Sequence, residues 1–182
     1  AETFPKELYK KAADIGLLGI GFDENYGGIP ETDAFHVLLS SIELAKTGSG
    51  GLCASLLSHS IGAPPINHFA SDEIKQTVLT QILAGEKISA LAITEPTGGS
   101  DVAALKTKAV RDGQDYIVSG EKTFITSGIR ADYYTVAVRT DPDAKGPNGI
   151  SMLLMDARSD GISKSKLDKM GWWASDTAHL HF

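Results

Sequence analysis

Apolar residues recur at helical spacing through the first half of the chain and at alternate positions through the second. After Pro5, a residue suited to a first helical turn, Leu8, Ala12 and Ile15 mark a helix that loosens at Gly16 and Gly19. Phe35, Leu38, Ile42 and Ala45 define a second, amphipathic one between Gly27-Gly28 and Gly48-Ser49-Gly50-Gly51. A third runs from Leu52 to Ile61 and is expected to be interrupted near Pro64-Pro65. The fourth opens on Ser71 as N-cap, places Asp72 and Glu73 at the positive end of the helix dipole, aligns Ile74, Val78 and Ile82, and stops at Gly85. From Ile88 the period becomes two. Lys106–Val110 and Tyr116–Ser119 flank Arg111-Asp112-Gly113-Gln114, where Asp-Gly signals a hairpin, and Tyr133–Arg139 and Ile150–Met155 are further β runs. Thr140–Gly149, with two prolines and two glycines, reads as a solvent-exposed loop. Helices followed by antiparallel strands predict an α+β protein of two modules, residues 1–87 helical and 88–182 β, without internal repeats.

Composition narrows the function classes. A net charge of −6, with 17 basic residues dispersed among 23 acidic ones, argues against a nucleic-acid partner. Cys53, the single cysteine, has no internal partner for a disulfide and lies in an apolar stretch, so it reads as a buried or pocket-lining thiol in a reducing compartment. No apolar run approaches the ~20 residues that span a bilayer, and no signal or transit pattern opens the chain.

The chemistry concentrates in two segments. Ile88-Ser89-Ala90-Leu91-Ala92-Ile93 is an apolar run that passes directly into Thr94-Glu95-Pro96-Thr97-Gly98-Gly99-Ser100-Asp101. A strand stopping at a Glu-Pro step and turning through Gly-Gly leaves backbone N–H groups free to face an anion, and Ser100 adds a hydroxyl donor. The second segment is Gly120-Glu121-Lys122-Thr123-Phe124-Ile125-Thr126-Ser127-Gly128, with Thr126 32 residues beyond Thr94.

Ala92-Ile93-Thr94-Glu95 with Gly98-Gly99-Ser100-Asp101 and Ala104 resembles the flavin-loop signature of the acyl-CoA dehydrogenase family. The second segment resembles the family strand Gly-x-Lys-x-(aromatic)-Ile-Thr-x-Gly beside the isoalloxazine ring, and Asp168-Lys169-Met170-Gly171 with Ser175-Asp176-Thr177 matches a third stretch. The resemblance implies an N-terminal helical domain followed by an antiparallel β-barrel or sandwich domain. It also implies FAD as cofactor, held by Leu91, Ala92, Ile93, Thr94, Gly99, Ser100, Phe124, Ile125 and Thr126. The hydroxyls of Thr94 and Thr126 would meet the flavin ring, the latter near N5, and Phe124 takes the place of a common Trp. Ser100 would meet pyrophosphate and the CoA moiety, while Cys53, Leu57 and Ile61, turned to one helix face, would line the acyl pocket or simply pack in the core.

The implied activity is formation of a trans-2-enoyl-CoA from acyl-CoA, with electron transfer flavoprotein as acceptor. The implied state is a dimer or tetramer of identical chains in a bacterial cytoplasm or the mitochondrial matrix. An oxygen-using acyl-CoA oxidase, a flavin monooxygenase on the same scaffold, or a non-catalytic module are the competing readings. Family members continue into a C-terminal four-helix domain that supplies the glutamate base, whereas Thr177–Phe182 stops without a turn, so the chain is expected to be an incomplete part of a longer enzyme with no catalytic residue of its own. Glu95 is accordingly expected to orient backbone N–H groups, and Asp101 to cap the following turn. Trp172-Trp173 is expected to be covered by the absent domain or a partner. His179 and His181 share one side of a strand, but with no third ligand beside them in sequence no metal site is expected.

Overall fold

The computed structural model describes residues 3–182. The helices are α1 (Glu7–Asp14), α2 (Ala34–Ala45), α3 (Gly50–Leu56), α4 (His59–Gly62), α5 (Pro64–Phe69), α6 (Asp72–Ile74) and α7 (Thr80–Leu83), with one π turn, Lys75–Leu79, joining the last two into a continuous rod. Ser71 caps that rod as expected, its hydroxyl accepting from the Ile74 amide at 3.4 Å. The start of α2 is held by a capping box that the usual Ser/Thr-x-x-Glu/Gln pattern does not contain. Asp33 accepts from the Phe35 and His36 amides, and its own amide donates to His36 Nδ1 at 3.1 Å. Pro64-Pro65, read as an interruption, instead begins α5: prolines fit a first turn, where their missing N–H groups would have had no partner.

The α2 periodicity is real, yet its apolar face is not buried. Phe35 is 68% exposed and Leu38 and Ile42 about half exposed, and no residue of this helix is buried.

The β strands are β1 (Ser89–Ala92), β2 (Lys108–Asp112), β3 (Asp115–Ser119), β4 (Glu121–Thr126), β5 (Tyr133–Arg139), β6 (Ile150–Asp156), β7 (Ser163–Lys166) and β8 (Thr177–His181). They form two sheets, one ordered β1-β5-β2-β3 with β6 on the other side of β5, the other ordered β4-β8-β7. The hairpin β2–β3 turns at Gly113, whose φ of +61° is accessible to glycine. Within this sandwich-like pair of sheets the first contains two parallel pairings, β1 with β5 and β2 with β5. The period-two pattern identifies strands but is silent on their partners, and the connection from β1 to β5 contains the whole β2–β3 hairpin and β4. Strand β7, Ser-Lys-Ser-Lys, is exposed at all four positions and has no apolar alternation to reveal it; lysines on such an edge discourage pairing with other chains.

Helices and sheets share their main core. Phe4, Tyr9, Leu18 and Leu56 pack with Ala90, Ala92, Tyr134, Val136 and Leu180, while Ile66, Val78, Leu79 and Ile82 form a second cluster. The approach of α4 to β1 depends on Gly62, where a Cβ would lie 3.1 Å from the Ala90 carbonyl carbon, and Thr135 fixes it by donating its hydroxyl to the Gly62 carbonyl at 2.7 Å. Among the described residues no helix is long and apolar enough to cross a membrane.

Candidate functional site

Strand β1 carries its chain out of the core and into the turn. Ala92 is buried, Leu91, Ile93 and Thr94 are half-buried, and Gly98, Gly99 and Ser100 are exposed. Two backbone hydrogen bonds between Glu95 and Gly98, 3.0 and 3.1 Å, close the turn and leave Gly99 and Ser100 beyond it. A Cβ on Gly99 would stand 3.1 Å from Thr94 Cγ2, tighter than an ordinary contact, so the loop folds back closely onto Thr94 at this position. Asp101 does not cap the next turn with its side chain, as was expected; its backbone carbonyl accepts from Ala104 instead.

The second segment is shaped by a bulge. The β4–β8 register slips between Lys122 and Ile125, and Phe124 adopts a φ of +59°, a left-handed conformation that an aromatic residue takes only when its surroundings enforce it. The slip buries Thr123 and Ile125 and leaves Phe124 69% exposed. At the bulge the Thr123 amide donates to the Thr94 carbonyl at 2.8 Å, joining the two segments directly. Thr126, half-buried, lies two residues on and pairs with Thr177. The fold thus brings Leu91 to Ser100 and Phe124 to Thr126 into one neighbourhood. Cys53 on α3, Leu57 at its C-cap and Ile61 on α4 are not carried by one continuous helix, because α3 ends at Leu56 and α4 begins at His59. Cys53 Sγ lies 3.5 Å from the Leu44 carbonyl under α2, Leu57 is half-buried, and Ile61 is half exposed on α4.

A buried ion pair locks the neighbourhood from below. Lys122 Nζ lies 2.9 Å from Glu95 Oε1 and 2.9 Å from the Ile93 carbonyl, and the two side chains are 0% and 5% exposed. The other lone pairs of Glu95 accept from the amides of Lys106 at 2.7 Å and Thr107 at 2.8 Å. Burial alone would raise the Glu95 pKa, but the hydrogen bonds from Thr107, Lys106 and Lys122 outweigh it and hold the carboxyl at about 2. Burial pushes the Lys122 ammonium down, and Glu95 restores part of that loss. Glu95 therefore organises backbone N–H groups, as expected. Lys122 was read only as part of the motif, and its one sequence signal is a lysine inside an otherwise buried strand stretch.

A folded carboxyl at about 2 against an ordinary 4.5 is stabilising above pH 4.5, and that contribution disappears as pH falls toward 2. Urea midpoints measured from pH 6 to pH 2 are expected to show on the order of 2–3 kcal/mol more acid loss in the unmodified chain than in Glu95→Gln.

A second polar cluster supports the end of β4. The Ser127 amide donates to the Asp176 carbonyl at 2.9 Å, the Ile129 amide to Asp176 Oδ2 at 2.7 Å, and Arg130 pairs with Asp176 through Nε. Arg130 also donates to Ser55 Oγ at 2.9 Å and Ser127 Oγ at 3.2 Å, and its guanidinium lies 4.8 Å from the Phe4 ring centroid. Nearby, Trp172 seats its backbone and ring on Gly50 and Gly51, with no room for a Cβ at either glycine, while Trp172 and Trp173 both remain more than half exposed.

Comparison with known proteins identifies the family. Residues 1–86 match the model of the acyl-CoA dehydrogenase N-terminal domain, and residues 90–182 that of the acyl-CoA dehydrogenase middle domain. A short-chain-specific acyl-CoA dehydrogenase of Clostridium acetobutylicum is 38% identical over 183 residues, covering 100% of this chain and 48% of the relative. The structure of a probable acyl-CoA dehydrogenase from Mycobacterium abscessus superimposes with a TM-score of 0.93 at 48% identity, covering 100% of this chain and 48% of that one. A glutaryl-CoA dehydrogenase from Mycobacterium smegmatis, solved with FADH2, gives 0.88 at 32% identity, covering 99% and 45%. The chain spans about half the length of the relatives it matches. Two family models in sequence order, across nearly all of its length, show that this chain belongs to the acyl-CoA dehydrogenase family.

Proposed function

We propose that this chain supplies the flavin-facing part of an FAD-dependent acyl-CoA dehydrogenase, with residues 1–87 as its helical domain and 88–182 as its β domain. The observation that carries the proposal is the Thr123–Thr94 hydrogen bond, which sets an exposed aromatic bulge beside a Gly-Gly-Ser turn. The residues fit such a cofactor: Gly98 has open space where a Cβ would stand, Gly99 folds back onto Thr94, and Phe124 offers a flat apolar face. When bound, FAD supplies the acceptor for the substrate β-hydride.

The chain's own residues bind and orient. Leu91, Ile93 and Thr94 present a strand edge to the ring with Ala92 buried behind them, Phe124 and Thr126 a second wall backed by the buried Ile125, and Gly99 and Ser100 donors for pyrophosphate and the CoA moiety. Cys53, Leu57 and Ile61 border the acyl tail. Glu95 does not serve as the α-proton base, because a carboxylate at about 2, spent on two amides and an ammonium, is a poor proton acceptor. The base belongs to a part of the enzyme beyond these residues. Electron transfer flavoprotein is the proposed acceptor, and a dimer or tetramer in the bacterial cytoplasm or mitochondrial matrix the proposed setting.

The test is Thr126→Ala in the flavin-loaded, full-length enzyme. Loss of one placed donor is expected to add about 1–3 kcal/mol to the barrier of the reductive half-reaction. Stopped-flow bleaching of the flavin by saturating acyl-CoA measures it, and an unchanged rate sinks the role of Thr126. Rapid reoxidation of the reduced enzyme by oxygen alone would assign the oxidase reading instead.

A further inference from the structure

The register of β4 and β8 brings together three side chains that lie far apart in sequence. Glu121 pairs directly with His181, and His179, two residues back on β8, projects from the same face. His179 Nε2 lies 3.3 Å from Glu121 Oε2, His181 Nδ1 lies 3.7 Å from Glu121 Oε1, and the two imidazole centroids are 4.4 Å apart. One ligand atom from each residue falls within 4.8 Å of the others. The third ligand missing from the sequence reading is thus supplied by the neighbouring strand. We propose that Glu121, His179 and His181 form a binding site for a divalent transition metal of the zinc class on the outer face of the β4–β8 pair.

Two imidazoles and one carboxylate are a donor set that suits Zn2+ far better than Ca2+ or Mg2+, which prefer all-oxygen shells. Ligands ~2.0–2.2 Å from a tetrahedral zinc are separated by roughly 3.4 Å, so the widest of the present spacings, up to 4.8 Å, has to close by about 1.4 Å. Both Glu121 and His181 are about half exposed and free to make that adjustment, while His179 is mostly covered and held in place. On the other side of β8, Ser163 pairs with His181 and Ser165 with His179, so a water or a serine hydroxyl is at hand for the fourth position. The carboxylate offsets half the charge of the ion. The three remaining histidines are otherwise placed: His36 serves the α2 capping box, His59 is buried between the Leu56 and Leu18 carbonyls, and His68 stands at the end of α5.

The site clamps β8 to the beginning of β4, one residue before Lys122, and its role is therefore structural. It owes nothing to the flavin reading, and its test is independent of activity. The full chain, stripped with a chelator and titrated with Zn2+ against a chromogenic competitor, is expected to bind one equivalent. Each of Glu121→Gln, His179→Gln and His181→Gln should weaken binding at least about tenfold, since even outer-shell partners of metal ligands are worth that much. Zinc should raise the thermal midpoint of the unmodified chain and not that of the His179→Gln/His181→Gln double variant. Should the variants fold poorly, Co2+ bound to the unmodified chain reports directly: intense visible absorption bands mark a four-coordinate site with nitrogen ligands. Zinc affinity unchanged in the double variant, or absence of both zinc binding and the Co2+ bands in the unmodified chain, overturns the proposal.

Discussion

Lys122→Met is expected to destabilise the chain by about 3–5 kcal/mol, the loss typical when one partner of a buried ion pair is removed. Methionine matches the length of the aliphatic stem, so little packing is lost, and the damage comes from what remains. Glu95 would stay buried with its charge, still accepting from Lys106 and Thr107, but without the ammonium and with the Ile93 carbonyl also unpaired. Adding Glu95→Gln to Lys122→Met should recover part of the loss, because the orphaned charge disappears while an oxygen acceptor for the amides remains. Urea unfolding of the two single variants and the double variant closes a double-mutant cycle, with a coupling expected to exceed about 1 kcal/mol. Additive losses would show that the pair does not act as a unit. Because Glu95 and Lys122 sit directly beneath the Thr123–Thr94 hydrogen bond, Lys122→Met in the full-length enzyme should also lower retained flavin.

Local signals were strongly legible in this sequence and pairwise ones were not. The Ser71 cap, the Gly113 hairpin, the limits of β5 and the helical period of α2 all follow from residues within a few positions of one another. What α2 packs against does not: Phe35, Leu38 and Ile42 predict a buried face, and in the described residues that face is open. The parallel pairing of β1 with β5 joins residues some forty positions apart, and β7 has no apolar residue to betray it. At the candidate site, the two motifs single out two segments that the fold brings together, yet their meeting through Thr123 and Thr94, the bulge at Phe124 and the anchoring of Glu95 by Lys122 depend on register. The same holds for Glu121, which no spacing rule links to His179 and His181 across nearly sixty residues.

Asp176→Ala is expected to cost about 2–4 kcal/mol, somewhat less than a fully buried pair because both side chains retain slight solvent contact. Among the described residues Asp176 is the one anion paired with Arg130, in a cluster where Arg130 Nη1 is already buried without a partner, so its removal leaves a guanidinium held by the hydroxyls of Ser55 and Ser127 and by the Phe4 ring. The Ile129 amide loses its acceptor as well. Asp176→Asn keeps an acceptor oxygen for Ile129 and loses only the charge, so it should fall between the two, and the difference between the substitutions separates the hydrogen bond from the ion pair. The consequence extends to the site because Ser127, immediately after Thr126, is buried at a φ of +61° with its amide on the Asp176 carbonyl. That backbone conformation is strained for serine and persists only while the cluster around it is intact. In the full-length enzyme, Asp176→Ala should therefore weaken FAD retention and slow flavin reduction more than global destabilisation alone explains. Comparing it with a core variant of equal stability loss, such as Ile82→Ala in the second cluster, supplies the control. Equal flavin occupancy and equal reduction rates in the two variants would confine the Arg130–Asp176 pair to a purely structural role.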